Sequence, residues 1–375
     1  MRIRAAVLHE ARTPLRVEQV ELAPPGRGEV LVRVAAAGVC HSDLHLAEGH
    51  LGDGRWPTVL GHEGAGVVEE VGDGVSDLER GDLVAFCHVA PCGRCRPCRA
   101  GRRNLCELSG ERAWAGTLLD GTPRLALTDG TPVRHFNFVS CFAERAVVPA
   151  CCAVPVPRSL PLWQAALVGC GVVTGFGAVR NTAAVRPAQS VCVVGCGGVG
   201  AHVVAAARLA QADPLVVVDR DPAKLDLALA RGATHAVAAG PDAAARVREL
   251  TGGGVDHAFE VVGRPETIRL AWDVLAAGGA ATVVGIAPKG VEVALPAFDL
   301  LSEKSLRGSS YGSGDPAAEL AVLAGLAAEG RLELADVVSH FASLDEIEEA
   351  FDRLRRGEGT RTVAVLDREL AGAPA

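Results

Sequence analysis

The chain has 375 residues, enough for two packed domains that each bury a core of their own. Hydrophobic residues make up 49% and charged residues 22%, a globular rather than disordered composition, and 44 glycines anticipate many tight turns. Lys plus Arg at 37 against Asp plus Glu at 45 leaves a net charge of -8, which makes a polyanion-binding role, and so nucleic acid, a poor reading.

The chain opens Met1-Arg2-Ile3-Arg4 and runs straight into a strand-like segment, without the apolar core and small-residue cleavage site of a secretory signal, so a cytoplasmic protein is expected. Residues 1–35 alternate apolar and polar around the turn Pro24-Pro25-Gly26-Arg27-Gly28, which predicts a meander of strands. Next comes a stretch from Cys40 to Glu70, read as loop-rich, that gathers a thiol, imidazoles, carboxylates and a hydroxyl. Further β-type runs, Gly66 to Val71 and Asp82 to Phe86, keep the N-terminal region mostly β.

Cys92, Cys95, Cys98 and Cys106 follow, four thiols within 15 residues. Thiolates at that spacing close a tetrahedron around one zinc and leave no open position, which makes the ion structural. A ferredoxin-type cluster has its fourth Cys after three residues and followed by Pro; the gap here is seven residues and no Pro follows. Arg94, Arg96, Arg99, Arg102 and Arg103 decorate this lobe and read as a solvated face. Twelve Cys in a chain of this length without a secretory signal indicate metal sites and reduced thiols rather than a disulfide framework.

From about residue 163 the texture changes to short β-branched runs alternating with Ala-rich helical periods, the pattern of a parallel sheet with crossover helices. Trp163 to Val179 and Val191 to Ala207 are apolar but short and Gly-interrupted, so buried core is expected rather than membrane spans. Strands are placed at Ser190 to Val194, Pro214 to Asp219, His235 to Ala238, Asp256 to Val261, Ala280 to Gly285 and Ser305 to Ser309. Helices are placed at Lys224 to Gly232, Pro265 to Ala277, Pro316 to Glu329 and Leu344 to Arg356. A final strand, Thr362 to Leu366, returns to the first domain, and the Ala-rich C-terminal end is expected to fray.

Gly195-Cys196-Gly197-Gly198-Val199-Gly200 lies between a strand and an Ala-rich helix, the context that a dinucleotide fingerprint requires. Its glycines permit a tight turn and let backbone approach a pyrophosphate at a helix N-terminus. Asp219 lies at the end of the next strand, 19 residues beyond Gly200, where a carboxylate accepts from both ribose hydroxyls and repels a 2′-phosphate, favouring NAD over NADP. Arg220 beside it weakens that preference a little.

With Gly38-Val39-Cys40-His41-Ser42-Asp43, Gly61-His62-Glu63-Gly64-Ala65-Gly66, the four-Cys lobe, Gly169-Cys170-Gly171 and the nucleotide fingerprint, the chain resembles the zinc-dependent medium-chain alcohol dehydrogenases from end to end. The resemblance implies an α/β protein: a GroES-like β-rich catalytic domain, residues 1–171 and 311–375 with the zinc lobe at about 90–108, around a doubly wound Rossmann domain, residues 172–310. It implies two zinc ions per chain, with Cys40, His62 and Cys170 holding the catalytic one and leaving its fourth position open. Glu63 would lie just behind that ion, and Asp43 would hydrogen-bond His62 and fix its ring. Ser42 would take the substrate hydroxyl proton and pass it through the nicotinamide ribose to His45 and solvent. His41 would face the pyrophosphate, Thr174 would pack near the nicotinamide, and Lys224 and Arg361 would contact cofactor ribose and phosphate.

The insertion from Trp114 to Phe142 resembles that of the longer alcohol dehydrogenase subtype. His88 falls where that family has an aromatic residue beside the zinc, and with Phe136 and the polar Asn137 it would line the substrate pocket. These residues point to a substrate with a polar group near the carbonyl. The implied activity is reversible hydride transfer between an alcohol and NAD, in a homodimer or homotetramer. Two alternatives stay open at this point: oxidation of a formaldehyde–thiol adduct, and a non-catalytic zinc or redox sensor on the same fold.

Overall fold

The computed structural model describes residues 1–52 and 56–374, and the chain divides into two compact units, Met1–Cys170 with Asp315–Ala375, and Gly171–Gly314. The chain returns to the first unit at Asp315, slightly later than residue 311.

The first unit is organised around the strand Glu29–Val39, whose runs Val30-Leu31-Val32 and Val34 to Ala37 are buried on both faces, as a continuous apolar stretch requires. It pairs antiparallel with Gly64–Val71, Arg145–Pro149 and Arg361–Val365. Leu83–Phe86 and Ala153–Pro155 extend this sheet beyond Gly64–Val71, and Val338–Ser343 extends it beyond Arg361–Val365. The register sets Thr362 opposite Val39, and Gly64 opposite Ala37, so Cys40, Glu63 and Arg361 come to one end of the sheet.

A five-stranded closed barrel accompanies the sheet: Arg2–Leu8, Arg16–Leu22, Leu125–Leu127, Pro132–His135 and Thr58–Val59. Two of its strands come from the insertion Trp114 to Phe142, which therefore completes a barrel and removes its open edges. Its wall and the sheet share one core in which Ile3, Leu22, Leu60, Val133, Phe142 and Phe351 are fully buried.

Other departures from the sequence reading have local causes. The stretch read as loop-rich contains the helix His41–Ala47, because Asp43 caps the backbone of Cys40 three residues back. The segment 344–356 is a single turn, Leu344–Glu346, followed by the helix Ile347–Arg356, with Ser343 and Glu346 capping one another. The C-terminal end does not fray at residue 371: Asp367 accepts from Leu370 N at 3.1 Å and a helical turn, Arg368–Ala371, buries Ala371.

The second unit is a six-stranded parallel sheet in the spatial order His235–Ala238, Leu215–Asp219, Val191–Val194, Val255–Glu260, Leu275–Val283, Ser305–Gly308. This is the doubly wound order in which a dinucleotide lies at the reversal beside the first strand. The helix expected to run to Ala277 ends at Asp273, because Leu275 already pairs with Val255, a short apolar run whose periodicity fits either state. The helix expected from Lys224 starts at Pro222, capped by Asp221, which accepts from Ala223 N at 3.0 Å. The helical stretch Leu162–Ala183 is long and apolar enough to cross a membrane, yet 83% of its most apolar window is buried within the protein.

Candidate active site

Cys40 ends the central strand and is the N-cap of His41–Ala47, which aims its thiol at the end of the sheet. His62 precedes the strand Gly64–Val71, and Cys170 lies in a wide π-type turn, Val168–Val172, that continues the helix Leu162–Leu167. The Sγ of Cys40, a ring nitrogen of His62 and the Sγ of Cys170 lie within 4.8 Å of one another, and all three residues are buried.

Asp43 orients this group. Its carboxylate, wholly buried, accepts from Cys40 N at 3.3 Å, Gly61 N at 2.8 Å and His62 Nδ1 at 3.2 Å. With Nδ1 committed to Asp43, the ring presents Nε2, which has no hydrogen-bond partner among the described residues. Burial disfavours the charged imidazole, but Asp43 more than offsets it and raises the His62 pKa. Between the thiols, a hydrogen bond from Cys170 holds Cys40 well below the usual thiol range, and Cys170 is correspondingly pushed up. An imidazole nitrogen without a hydrogen-bond partner and two adjoining buried thiols form the donor set that a divalent zinc ion completes, so these residues fit that ion.

Glu63 lies behind the cluster, fully buried, with Arg361 Nη1 at 3.5 Å. Burial pushes its carboxyl up to about 7 despite the pull of Arg361. Room for that carboxyl comes from Gly38, where a Cβ would sit 2.3 Å from Glu63 Oε1. Arg361 is buried and donates to Val39 O at 3.1 Å; its charge faces Glu63 and the two thiols.

His88 and Phe136 flank the His62 imidazole edge-on, with ring centroids 5.1 and 5.3 Å from its own. Asn137 is next in a turn where Asn137, Phe138 and Ser140 all have positive φ, fixed by Ser140 Oγ, which donates to Val59 O at 2.8 Å and accepts from Phe136 N. Ser42 Oγ is 3.6 Å from Cys40 Sγ. His41 is exposed, and His45 is half-buried on the last turn of the same helix.

The four-Cys lobe brings Cys92, Cys95, Cys98 and Cys106 within 4.8 Å of one another. Backbone amides already point at sulfur: Cys92 N donates to Cys106 Sγ at 3.2 Å, and Cys95 N to Cys92 Sγ at 3.4 Å. Amides of Arg94 and Cys95 lower the Cys92 thiol to about 6, while burial pushes the Cys98 thiol up to about 12. These residues fit a second, closed zinc site.

In the second unit, Gly195 has φ +99° and a Cβ at Gly200 would lie 2.0 Å from Gly195 O, which fixes both as glycine on backbone grounds. Gly197 differs, since its Cβ would meet no protein atom within 4 Å. The open space beside it, next to the half-buried Gly198 and Val199 and the first turn of the helix Gly200–Leu209, fits a pyrophosphate. Asp219 accepts from Cys196 N at 2.7 Å and from Asp221 N at 2.9 Å, which holds its carboxylate at the fingerprint loop. Lys224 Nζ is 4.0 Å from Asp221, and Thr174 is half-buried in the helix Val173–Gly177.

A metal-holding β unit and a dinucleotide-binding α/β unit define a zinc-dependent dehydrogenase. Residues 26–158 match the alcohol dehydrogenase GroES-like domain, and residues 198–327 match the zinc-binding dehydrogenase domain. The chain is 38% identical over 367 residues to an S-(hydroxymethyl)glutathione dehydrogenase of Synechocystis, covering 97% of this chain and 99% of that protein. Among solved structures, it is similar to an alcohol dehydrogenase zinc-binding domain protein from Burkholderia ambifaria, at 36% identity and TM-score 0.92 over 98% of this chain and 99% of that one. It is also similar to benzyl alcohol dehydrogenase from Acinetobacter calcoaceticus, at 31% identity and TM-score 0.91 with the same coverage. The chain belongs to the zinc-dependent medium-chain alcohol dehydrogenase family. It is an NAD-dependent zinc oxidoreductase that interconverts alcohols with aldehydes or ketones.

Sequence reasoning did not anticipate three features of the site: the pairing of Gly38 with Glu63, the burial of Arg361, and a hydrogen bond between His45 and His50 at 3.1 Å. The first two depend on strand register. The third was open to a reader of spacing, since a histidine three residues beyond a seven-residue helix can fold back on its last turn.

Proposed function

We propose that Cys40, His62 and Cys170 hold the catalytic zinc, that Cys92, Cys95, Cys98 and Cys106 hold the structural one, and that the substrate is an alcohol with a polar substituent near its carbinol carbon. The convergence of three buried donor atoms, one of them an orphaned imidazole nitrogen, carries this reading. Bound zinc supplies a Lewis acid that makes the substrate hydroxyl more acidic, and NAD accepts the hydride.

The chain's own residues do the rest. Asp43 keeps His62 in the tautomer that ligates, and the buried guanidinium of Arg361 offsets the negative charge of Glu63 and the two thiolates. Ser42, beside Cys40, accepts the hydroxyl proton, and His45 carries it outward. His88, Phe136 and Asn137 line the substrate side, with the imidazole of His88 offering a hydrogen bond where a purely apolar pocket would not. Gly195, Gly197, Gly198, Val199 and Gly200 receive the pyrophosphate, and Asp219 favours NAD by accepting from the ribose hydroxyls. His41, Thr174 and Lys224 complete the cofactor contacts.

An S-hydroxymethyl thiol is itself a primary alcohol with sulfur on the carbinol carbon, so the name carried by the Synechocystis relative favours a second reading within the same chemistry, oxidation of a formaldehyde–thiol adduct. Six of the twelve cysteines stand in the two metal clusters, which need reduced thiols and support a cytoplasmic setting. Assembly as a homodimer is supported by the edge strand Ser305–Gly308, exposed throughout, and by Phe298 and Leu301, 80% and 77% exposed nearby in sequence.

The test is metal analysis with an assay of reduced nicotinamide against simple alcohols, polar alcohols and formaldehyde mixed with low-molecular-weight thiols. Two zinc ions per chain and a higher kcat/KM for the polar set are expected. Zinc-loaded protein that reduces NAD with none of them would move the reading to a non-catalytic sensor.

A further inference from the structure

His45 is the last histidine of the helix His41–Ala47, and the chain turns there so that His50 N donates to His45 O at 2.9 Å. That turn brings the two imidazoles together, with Nδ1 to Nδ1 at 3.1 Å and ring centroids at 5.4 Å. His45 is half-buried and His50 is exposed. A third ring, His41, is tilted 47° to that of His45 with its centroid 6.3 Å away. Two residues before His50 in the chain, Glu48 Oε1 accepts from Arg355 Nε at 2.8 Å.

A hydrogen bond between two Nδ1 atoms needs a proton on one and a lone pair on the other. We infer that His50 is the outer station of the proton path, taking the substrate-derived proton from His45 and delivering it to bulk water. The inference rests on the dehydrogenase reading above. In the alcohol-oxidising direction a proton binds His45 Nε2, the Nδ1 proton of His45 crosses to Nδ1 of His50, and the Nε2 proton of His50 leaves to water. One proton enters and one departs, with no change in charge on either ring. The hydrogen bond ends reversed, which is the arrangement that the reducing direction starts from. Burial and then His50 lower the His45 pKa, so His45 passes a proton on rather than storing it.

The test follows proton release in a weakly buffered stopped-flow experiment, with the zinc-loaded enzyme, NAD, an alcohol and a pH indicator. Two variants are used: His50→Gln, which keeps a hydrogen bond to His45 but carries no transferable proton, and His50→Ala. In both, proton appearance is expected to slow by roughly an order of magnitude and to recover on adding imidazole. Unchanged proton appearance in His50→Gln, or a slowing that imidazole does not relieve, overturns the inference. Slowing in His50→Ala alone also overturns it, reducing His50 to a residue that positions His45. Wild-type enzyme that yields no reduced nicotinamide overturns the dehydrogenase reading along with it, whereas the variant results bear on His50 alone.

Discussion

The two cysteine sites of the first unit are built on opposite principles. The lobe at 92–106 takes all four sulfurs from one loop, half of them buried, and steadies them with backbone amides that any residues at those positions supply. The Cys40 site takes its donors from segments up to 130 residues apart and surrounds them with buried side chains, Asp43, Glu63 and Arg361, each of which costs desolvation. A site assembled only for stability has no use for that expense. The comparison teaches that chemistry resides where buried charge is maintained around the ligands, and stability where the backbone alone suffices.

The sharpest way to break this contrast is Cys170→Ser. Turnover is expected to fall by about 10³-fold or more, on the order of 4 kcal/mol of transition-state stabilisation, with NAD binding still measurable by fluorescence. Wild-type kcat in that variant would sink the ligand assignment. Cys98→Ser tests the other side: loss of the lobe's ion should remove a few kcal/mol of stability, seen as a drop in the thermal midpoint at roughly 2–4 °C per kcal/mol, while kcat per folded enzyme changes little. Were kcat to collapse at an unchanged midpoint, the lobe would be catalytic.

Asp43→Asn probes the orientation of His62. An amide can present its NH₂ to Nδ1 and turn the ring's tautomer, so catalytic-zinc affinity and kcat/KM should fall about 10- to 100-fold. Competition with a chelator, read by metal analysis, measures the first; equal metal retention in both proteins would show that Asp43 serves only as a helix cap. The smallest effects belong to two glycines, first Gly38→Ala. Its Cβ would meet Glu63 Oε1 at 2.3 Å, and overpacking of this kind costs about 1–3 kcal/mol in a denaturant titration. Gly93, in the lobe, has open space around its Cβ; Gly93→Ala strains only its positive φ, about 1 kcal/mol, and leaves kcat/KM unchanged.

Much of this is legible in the sequence. The alternation of residues 1–35, the glycine fingerprint and the Cys spacing of the lobe each report contacts made within a few residues, and those the sequence states directly. The helix His41–Ala47 was hidden because its cap is a cysteine, outside the usual capping residues, and the strand at Leu275 because a short apolar run fits helix and strand alike.

By itself, then, the sequence determined what depends on neighbouring positions: most of the elements, the glycine-rich loop and the four-thiol lobe, since their geometry is set by spacing along a stiff backbone. Tertiary structure alone decided the rest. Strand register brought Arg361 and Gly38 to Glu63. A period-two strand carries no mark of which partner residue it will face, and that pairing is chosen by the whole buried core at once.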